Sequence, residues 1–248
     1  MLNIAIDIGN TRAKAGFFRD GKLEEQWFWE HEKFSFQQLE SIATNHQAQN
    51  IILSTVRQSP EGGDGWSSLQ AQFFCLLLSG ATPLPFQNLY RTPHSLGKDR
   101  LAAVAGAQAL FPDQNCLVVD AGTCITYEIL TASGEYIGGN IAPGLKMRLQ
   151  AMHAFTARLP LEEPGETESG IGYDTRSALI NGATEGLRFE LEGYIHYCQQ
   201  HFGAVRVLLT GGDADFLSKN GKSEIFVDQN LVLRGLDQIL SYNVHLQK

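Results

Sequence analysis

Asn3-Ile4-Ala5-Ile6-Asp7-Ile8-Gly9-Asn10-Thr11-Arg12-Ala13-Lys14 joins an apolar run to a carboxylate and then to a glycine-containing turn. Met1 to Ile8 reads as a buried strand, because Leu, Ile and Ala crowd a short segment and turn signals follow at once. Asp7 stands at its carboxyl end. Gly9 permits backbone angles that a side chain forbids, so the amides of residues 9 to 11 are expected to turn toward one anion, with Thr11 adding a hydroxyl and Arg12 or Lys14 adding charge. The sheet resumes in Ala13 to Phe18, turns at Arg19-Asp20-Gly21-Lys22 and returns through Leu23 to Trp29. Many Asp-x-Gly turns bind nothing, so this copy alone leaves the ligand open.

A second copy narrows the reading. Cys116-Leu-Val-Val-Asp120-Ala-Gly122-Thr123-Cys-Ile-Thr-Tyr-Glu-Ile129 again runs from an apolar strand through Asp, Gly and Thr into an alternating strand. Its turn is one residue shorter. Two copies of one pattern more than a hundred residues apart suggest two copies of one subdomain facing each other across a cleft.

Composition excludes several classes. At 248 residues and 43% apolar content the chain can build one large or two small cores, and the echo favours two. A net charge of −8 with no basic cluster argues against general affinity for nucleic acid or anionic membrane. The four cysteines (Cys75, Cys116, Cys124 and Cys198) form no C-x-x-C pair, which fits a reducing, cytoplasmic protein without a disulfide or metal framework. The longest apolar run, Phe73 to Leu78, is far below the ~20 residues of a membrane span. P-loop, dinucleotide, zinc-protease and nucleophile-elbow signatures are all missing from the sequence.

Between the two meanders the spacing predicts a helix over Phe34 to His46, a strand over Ile51 to Ser54, a loop over Ser59 to Gly65 and a helix running on to Leu78. Tyr90-Arg91-Thr92-Pro93-His94-Ser95-Leu96-Gly97-Lys98-Asp99-Arg100 then leads into a helix of small residues, Leu101 to Phe111. Asp99 in the first turn of that helix reads either as a simple favourable charge at the helix start or as a cleft-facing base beside an anion-gripping Arg100. Gly138-Gly139-Asn140-Ile141-Ala142-Pro143-Gly144 precedes a helix from Leu145 to Phe155 and suggests close approach of the backbone to a ligand or another element. Glu162, Glu163, Glu166 and Glu168 mark a solvated acidic loop, after which Asp174 or Thr175 is expected to cap a long helix from Arg176 to Gln200. Val205 to Thr210, Gly211-Gly212 and Asp213-Ala214 form a strand, a turn and a helix start, followed by a strand at Ile225 to Val227 and a helix from Leu231 to Tyr242.

Taken in order, Asp7-Ile8-Gly9-Asn10-Thr11, Gly97-Lys98-Asp99-Arg100, Asp120-Ala121-Gly122-Thr123, the Gly138–Gly144 motif, Gly172-Tyr173-Asp174-Thr175 and Thr210-Gly211-Gly212 resemble the type III pantothenate kinases. That family sits within the acetate and sugar kinase, actin and heat-shock ATPase superfamily. The resemblance implies an α/β fold of two ribonuclease-H-like (actin-like ATPase) subdomains, each a mixed five-stranded sheet with helices, over residues 1–112 and 113–248. It implies ATP-dependent phosphorylation of pantothenate, the first step of coenzyme A synthesis. Another small-molecule kinase of the fold, or a nucleotide-binding regulator without turnover, is the alternative.

By the same resemblance, Asp7, Ile8, Gly9, Asn10, Thr11, Arg12, Ala13 and Lys14, with Thr123, bind ATP, and Asp7 holds Mg²⁺ through water. Asp99 is the proton acceptor. Tyr90, Gly97, Lys98, Asp99, Arg100 and Thr175 frame pantothenate, and Asp120 is a ligand for K⁺ or ammonium. The resemblance further implies a cytoplasmic homodimer. Asp174 departs from the Asn expected before the threonine, which adds a carboxylate beside Thr175.

Overall fold

The computed structural model of the protein describes residues 1–9, 12–30, 33–55, 63–219 and 224–247. Its first strand, β1 (Leu2–Ile8), is buried at every residue except Asp7, as a short apolar run covered on both faces must be. The elements that follow are β2 (Arg12–Arg19), β3 (Lys22–Glu30), α1 (Phe36–Asn45), β4 (Asn50–Thr55), α2 (Asp64–Gln72), β5 (Phe74–Leu77), β6 (Gln87–Asn88), α3 (Lys98–Leu110), β7 (Asn115–Ala121), β8 (Cys124–Leu130) and β9 (Glu135–Pro143). The chain continues through α4 (Leu145–Ala154), α5 (Thr175–Phe202), β10 (Val205–Thr210), α6 (Ala214–Ser218), β11 (Ile225–Val227) and α7 (Leu231–Leu246).

One sheet has the order β3-β2-β1-β4-β5. β1, β2 and β3 form the antiparallel meander, while β4 and β5 add in parallel on the other side of β1. Asp20 (φ 50°) and Gly21 (φ 77°) both take positive φ between β2 and β3, the conformation a tight hairpin requires. The second sheet repeats the plan as β9-β8-β7-β10-β11, with β7 and β8 antiparallel and β10 and β11 parallel to β7. A sixth strand departs from the expected five: β6 pairs in parallel with Glu135 and Tyr136 at the start of β9. Nothing in a two-residue strand announces it in the sequence. The apolar run to Leu78 is likewise a strand, β5, where the sequence reading continued the helix. Phe-Cys-Leu-Leu fits either conformation, and an open edge of β4 selects the extended one.

Tertiary contacts divide the chain into two units, Met1–Pro112 with Gly134–Tyr136 and Asn230–Lys248, and Asp113–Ser133 with Ile137–Gln229. The C-terminal helix therefore belongs with the first unit, whereas residues 113–248 were expected to stay together. In that unit Ile4, Ile6, Phe17, Leu39, Ile51, Trp66 and Leu69 fill the face covered by α1 and α2. Helix α7 packs on β1, β4 and α3. It crosses α3 at bare backbone: a Cβ on Gly235 would lie 1.6 Å from the Ala102 carbonyl oxygen, and one on Gly106 would lie 2.3 Å from that of Leu231. A buried polar link fixes its register, because the Asn3 amide donates to Asp237 (2.7 Å) and its oxygen accepts from Asn50 (2.8 Å). In the second unit Leu117, Val119, Ile125, Leu187, Leu191, Ile195 and Leu209 form the core under α4, α5 and α6.

Candidate active site

In the first unit the β1–β2 register sets Asp7 opposite Lys14 and Ile8 opposite Ala13. Gly9 N–H donates to the Arg12 carbonyl (3.0 Å), closing the turn. This corrects the expectation that the Gly9 amide faces an anion. Gly9 is also absent from the positive-φ residues, and a Cβ there would make only an ordinary 3.4 Å contact with the Arg12 oxygen. Asn10 and Thr11 lie outside the described residues. Ile8 and Ala13 are core side chains that leave only their backbone for other contacts, while Arg12 is exposed and Lys14 partly so.

The Asp7 carboxyl is the electrostatic oddity of this unit. Its Oδ1 is sealed from solvent and has no hydrogen-bond partner among the described residues, and the same holds for the Ser54 hydroxyl. Burial, reinforced by the Asp99 carboxylate, pushes Asp7 up to about 6 against the Lys14 ammonium and the neighbouring Ser54 hydroxyl, which stands close without hydrogen-bonding geometry. An orphaned, desolvated carboxylate oxygen is a fitting neighbour for a hydrated divalent cation.

Helix α3 supplies the second group of side chains. Gly97, not Asp99, is its N-cap, and no side chain caps it. Asp99 sits at the second helical position, and its Oδ1 accepts from the Arg100 N–H (2.9 Å). A helix-end role for Asp99 is thus present, and so is proximity to Asp7; the two readings are compatible. Lys98 Nζ donates to the Thr55 carbonyl at the end of β4 (3.3 Å). Arg100 is 6% exposed; its Nη2 donates to the Tyr136 hydroxyl (3.2 Å), and its guanidinium carbon lies 5.4 Å from the Tyr90 ring centroid. Asp7, Lys14, Asp99, Arg100 and Tyr90 therefore all belong to one unit. Ser54 and Tyr136 were not singled out from the sequence, because only the strand registers of β4 and β9 bring them here.

The second unit repeats the closed turn: Gly122 N–H donates to the Cys124 carbonyl (3.0 Å) and leaves Thr123 exposed. Two glycines wall this turn. Gly144 donates to the Thr123 carbonyl (3.1 Å), and a Cβ on it would lie 2.2 Å from the Gly122 oxygen. Gly211 takes φ 94°, and a Cβ there would lie 2.4 Å from both the Ala121 carbonyl and Asp120 Oδ1. The glycines at 144 and 211 thus serve close approach of backbone to backbone. The Asp120 carboxylate and Ala121 carbonyl are hard oxygen donors of the type a monovalent cation takes. Among the described residues, no three His, Cys, Asp or Glu side chains group as a metal cage. Asp174 is the N-cap of α5, accepting from Ser177 N–H (2.9 Å) while Ser177 Oγ answers to the Asp174 backbone amide. That bond holds its carboxyl below the usual range. Thr175 follows at the first helical position, exposed.

The duplicated sheet order places the chain among the actin-like ATPase folds. A ROK family protein from Streptococcus pneumoniae in complex with sucrose has the same fold at 14% identity, TM-score 0.56 and full coverage of both chains. The activator of 2-hydroxyisocaproyl-CoA dehydratase from Clostridium difficile with bound ADPNP aligns at 11% identity and TM-score 0.54, covering 100% of this chain and 97% of the other. Closer relatives define the branch. The sequence profile of type III pantothenate kinase matches residues 3–197. A type III pantothenate kinase of Bacteroides fragilis is 41% identical over 247 residues, covering 98% of each chain, and that of Christiangramia forsetii is 39% identical over 243, covering 98% and 99%. The chain belongs to the type III pantothenate kinase family.

Proposed function

We propose that this kinase transfers the γ-phosphoryl group of ATP to the primary hydroxyl of pantothenate, opening coenzyme A synthesis, with Asp99 as general base. In this reading Asp99 accepts the hydroxyl proton as the oxygen attacks the γ-phosphorus, the bond to the bridging oxygen breaks, and ADP leaves. Phosphoryl transfer asks mainly for positioning and charge stabilisation, and a base in place contributes ~10²- to 10⁴-fold. The observation that carries the proposal is the juxtaposition, within one unit, of the Asp7 carboxyl, the Asp99 carboxylate and the buried Arg100.

Residues 8 and 10–14, with Thr123, would hold the ATP phosphates, and Tyr90, Gly97, Lys98, Arg100 and Thr175 the acceptor, with Arg100 facing its carboxylate. Asp7 would hold Mg²⁺ through water and Asp120 a K⁺ or ammonium ion; when bound, these cations neutralise charge on the phosphates. The proposal includes a cytoplasmic homodimer. Among the described residues no helix is long and apolar enough to cross a membrane.

The deciding experiment is ADP release from MgATP with pantothenate or sugars as acceptors, in matched KCl and NaCl buffers. Turnover that requires pantothenate is expected, faster in KCl. Turnover only with sugars would reassign the acceptor, and equal rates in the two salts would remove the ion site.

A further inference from the structure

We propose that Tyr136 is a positioning residue for the acceptor site: it holds the Arg100 guanidinium and the Tyr90 ring in the arrangement that receives a carboxylate. The inference rests on the reading of Arg100 as the acceptor's anion partner.

Tyr136 is 0% exposed although it carries a hydroxyl, and a buried tyrosine O–H needs a polar partner. Arg100 donates to that hydroxyl through Nη2 at 3.2 Å. The Tyr136 ring lies nearly parallel to that of Tyr90, 13° and 6.2 Å apart, and Phe86 abuts it edge-on at 73° and 6.1 Å. The guanidinium carbon in turn sits 5.4 Å from the Tyr90 centroid. The cation is therefore fixed from two directions, by a bond at its edge and by a ring at its face. Two such contacts define the plane of a guanidinium, and that plane is what a bidentate carboxylate requires.

The backbone explains how Tyr136 comes to be there. Asn88 pairs with Tyr136 across β6 and β9, and Leu89 N–H donates to the Tyr136 carbonyl (2.9 Å). One residue on, Tyr90 N–H donates to the Asn88 side-chain oxygen (3.0 Å). A two-residue strand contributes little as a sheet, but it ties the segment bearing Tyr90 to the residue that grips Arg100. Tyr136 thus touches both proposed acceptor contacts while being buried itself.

A preset cation lowers the ordering cost of binding and leaves the chemical step alone. Tyr136→Phe keeps every ring contact and removes only the hydroxyl. Ordering a freed, rotamer-rich side chain on binding corresponds to a loss of up to about ten-fold in affinity. The expected result is a rise of up to about ten-fold in KM for pantothenate, with kcat and KM for ATP within about two-fold of wild type. Asn88→Ala, which releases the Tyr90 amide, should move the same constant in the same direction and serves as the second variant if Tyr136→Phe fails to fold. A merely structural role would shift both KM values together or only the unfolding midpoint, and either pattern overturns the inference. Wild-type protein that does not turn over pantothenate refutes the functional reading itself; wild-type turnover with an unmoved KM in the variants refutes only the role of Tyr136.

Discussion

Asp7→Asn should make the ligand-free protein more stable at neutral pH, although it removes a residue placed in the ATP site. The ordinary aspartate value of 3.8 rises to about 6 in the fold, because one oxygen is dry and unpartnered and Asp99 stands nearby. A carboxyl whose folded value is raised binds its proton more tightly folded than unfolded. Its contribution is therefore neutral below about pH 4, turns unfavourable as the pH climbs from 4 to 6, and reaches its full cost above that. At 1.36 kcal/mol for each tenfold change in proton affinity, the full cost is about 3 kcal/mol. An asparagine has no charge to desolvate, so the stability difference between variant and wild type should be near zero at pH 4 and approach about 3 kcal/mol at pH 7.5. Urea unfolding of both proteins from pH 4 to 8, without nucleotide or divalent cation, measures this directly. Parallel pH profiles, or a variant less stable than wild type at pH 7.5, would refute the argument that Asp7 is held in a desolvated, cation-ready state.

Three further outcomes follow from particular contacts. Asp99→Asn should lose about 10²- to 10⁴-fold in turnover while keeping its fold and ATP binding, since an amide cannot accept the hydroxyl proton; near-normal turnover would remove Asp99 from the mechanism. Asp120→Asn should shrink the ratio of rates in KCl and NaCl, and an unchanged ratio would exclude Asp120 as the ion's ligand. Gly235→Ala should destabilise by about 3 kcal/mol, the upper range for overpacking, because the methyl would lie 1.6 Å from the Ala102 carbonyl. Gly186→Ala, in α5 with nothing within 4 Å of its Cβ, is the control and should be neutral or stabilising; similar losses in both would show that the helix crossing is not the cause.

Both strand–turn–strand copies were legible because hairpins are local: Asp7 and Lys14 are joined by a few residues, as are Asp120 and Thr126. The Asp174 cap was legible for the same reason, since its partner Ser177 is three residues away. The role of Gly9 is not legible in the same way: it closes the hairpin through its amide and uses no left-handed conformation. β5 is ambiguous in sequence because an apolar run of four residues carries no period. Tyr136 gave no signal at all, since 36 residues separate it from the arginine it binds.

The chain alone determined the duplicated turn, the order of the motifs, the helix starts and, through them, the family. Backbone preference and periodicity act between near neighbours, and those neighbours are written side by side. Tertiary structure alone decided that α7 returns to the first sheet, that Gly144 and Gly211 press on the Asp120 turn, that Asp7 keeps one oxygen dry, and that Arg100 is gripped by Tyr136. Each of these depends on desolvation or close approach by atoms distant along the chain, and strand register and helix crossing bring such atoms together.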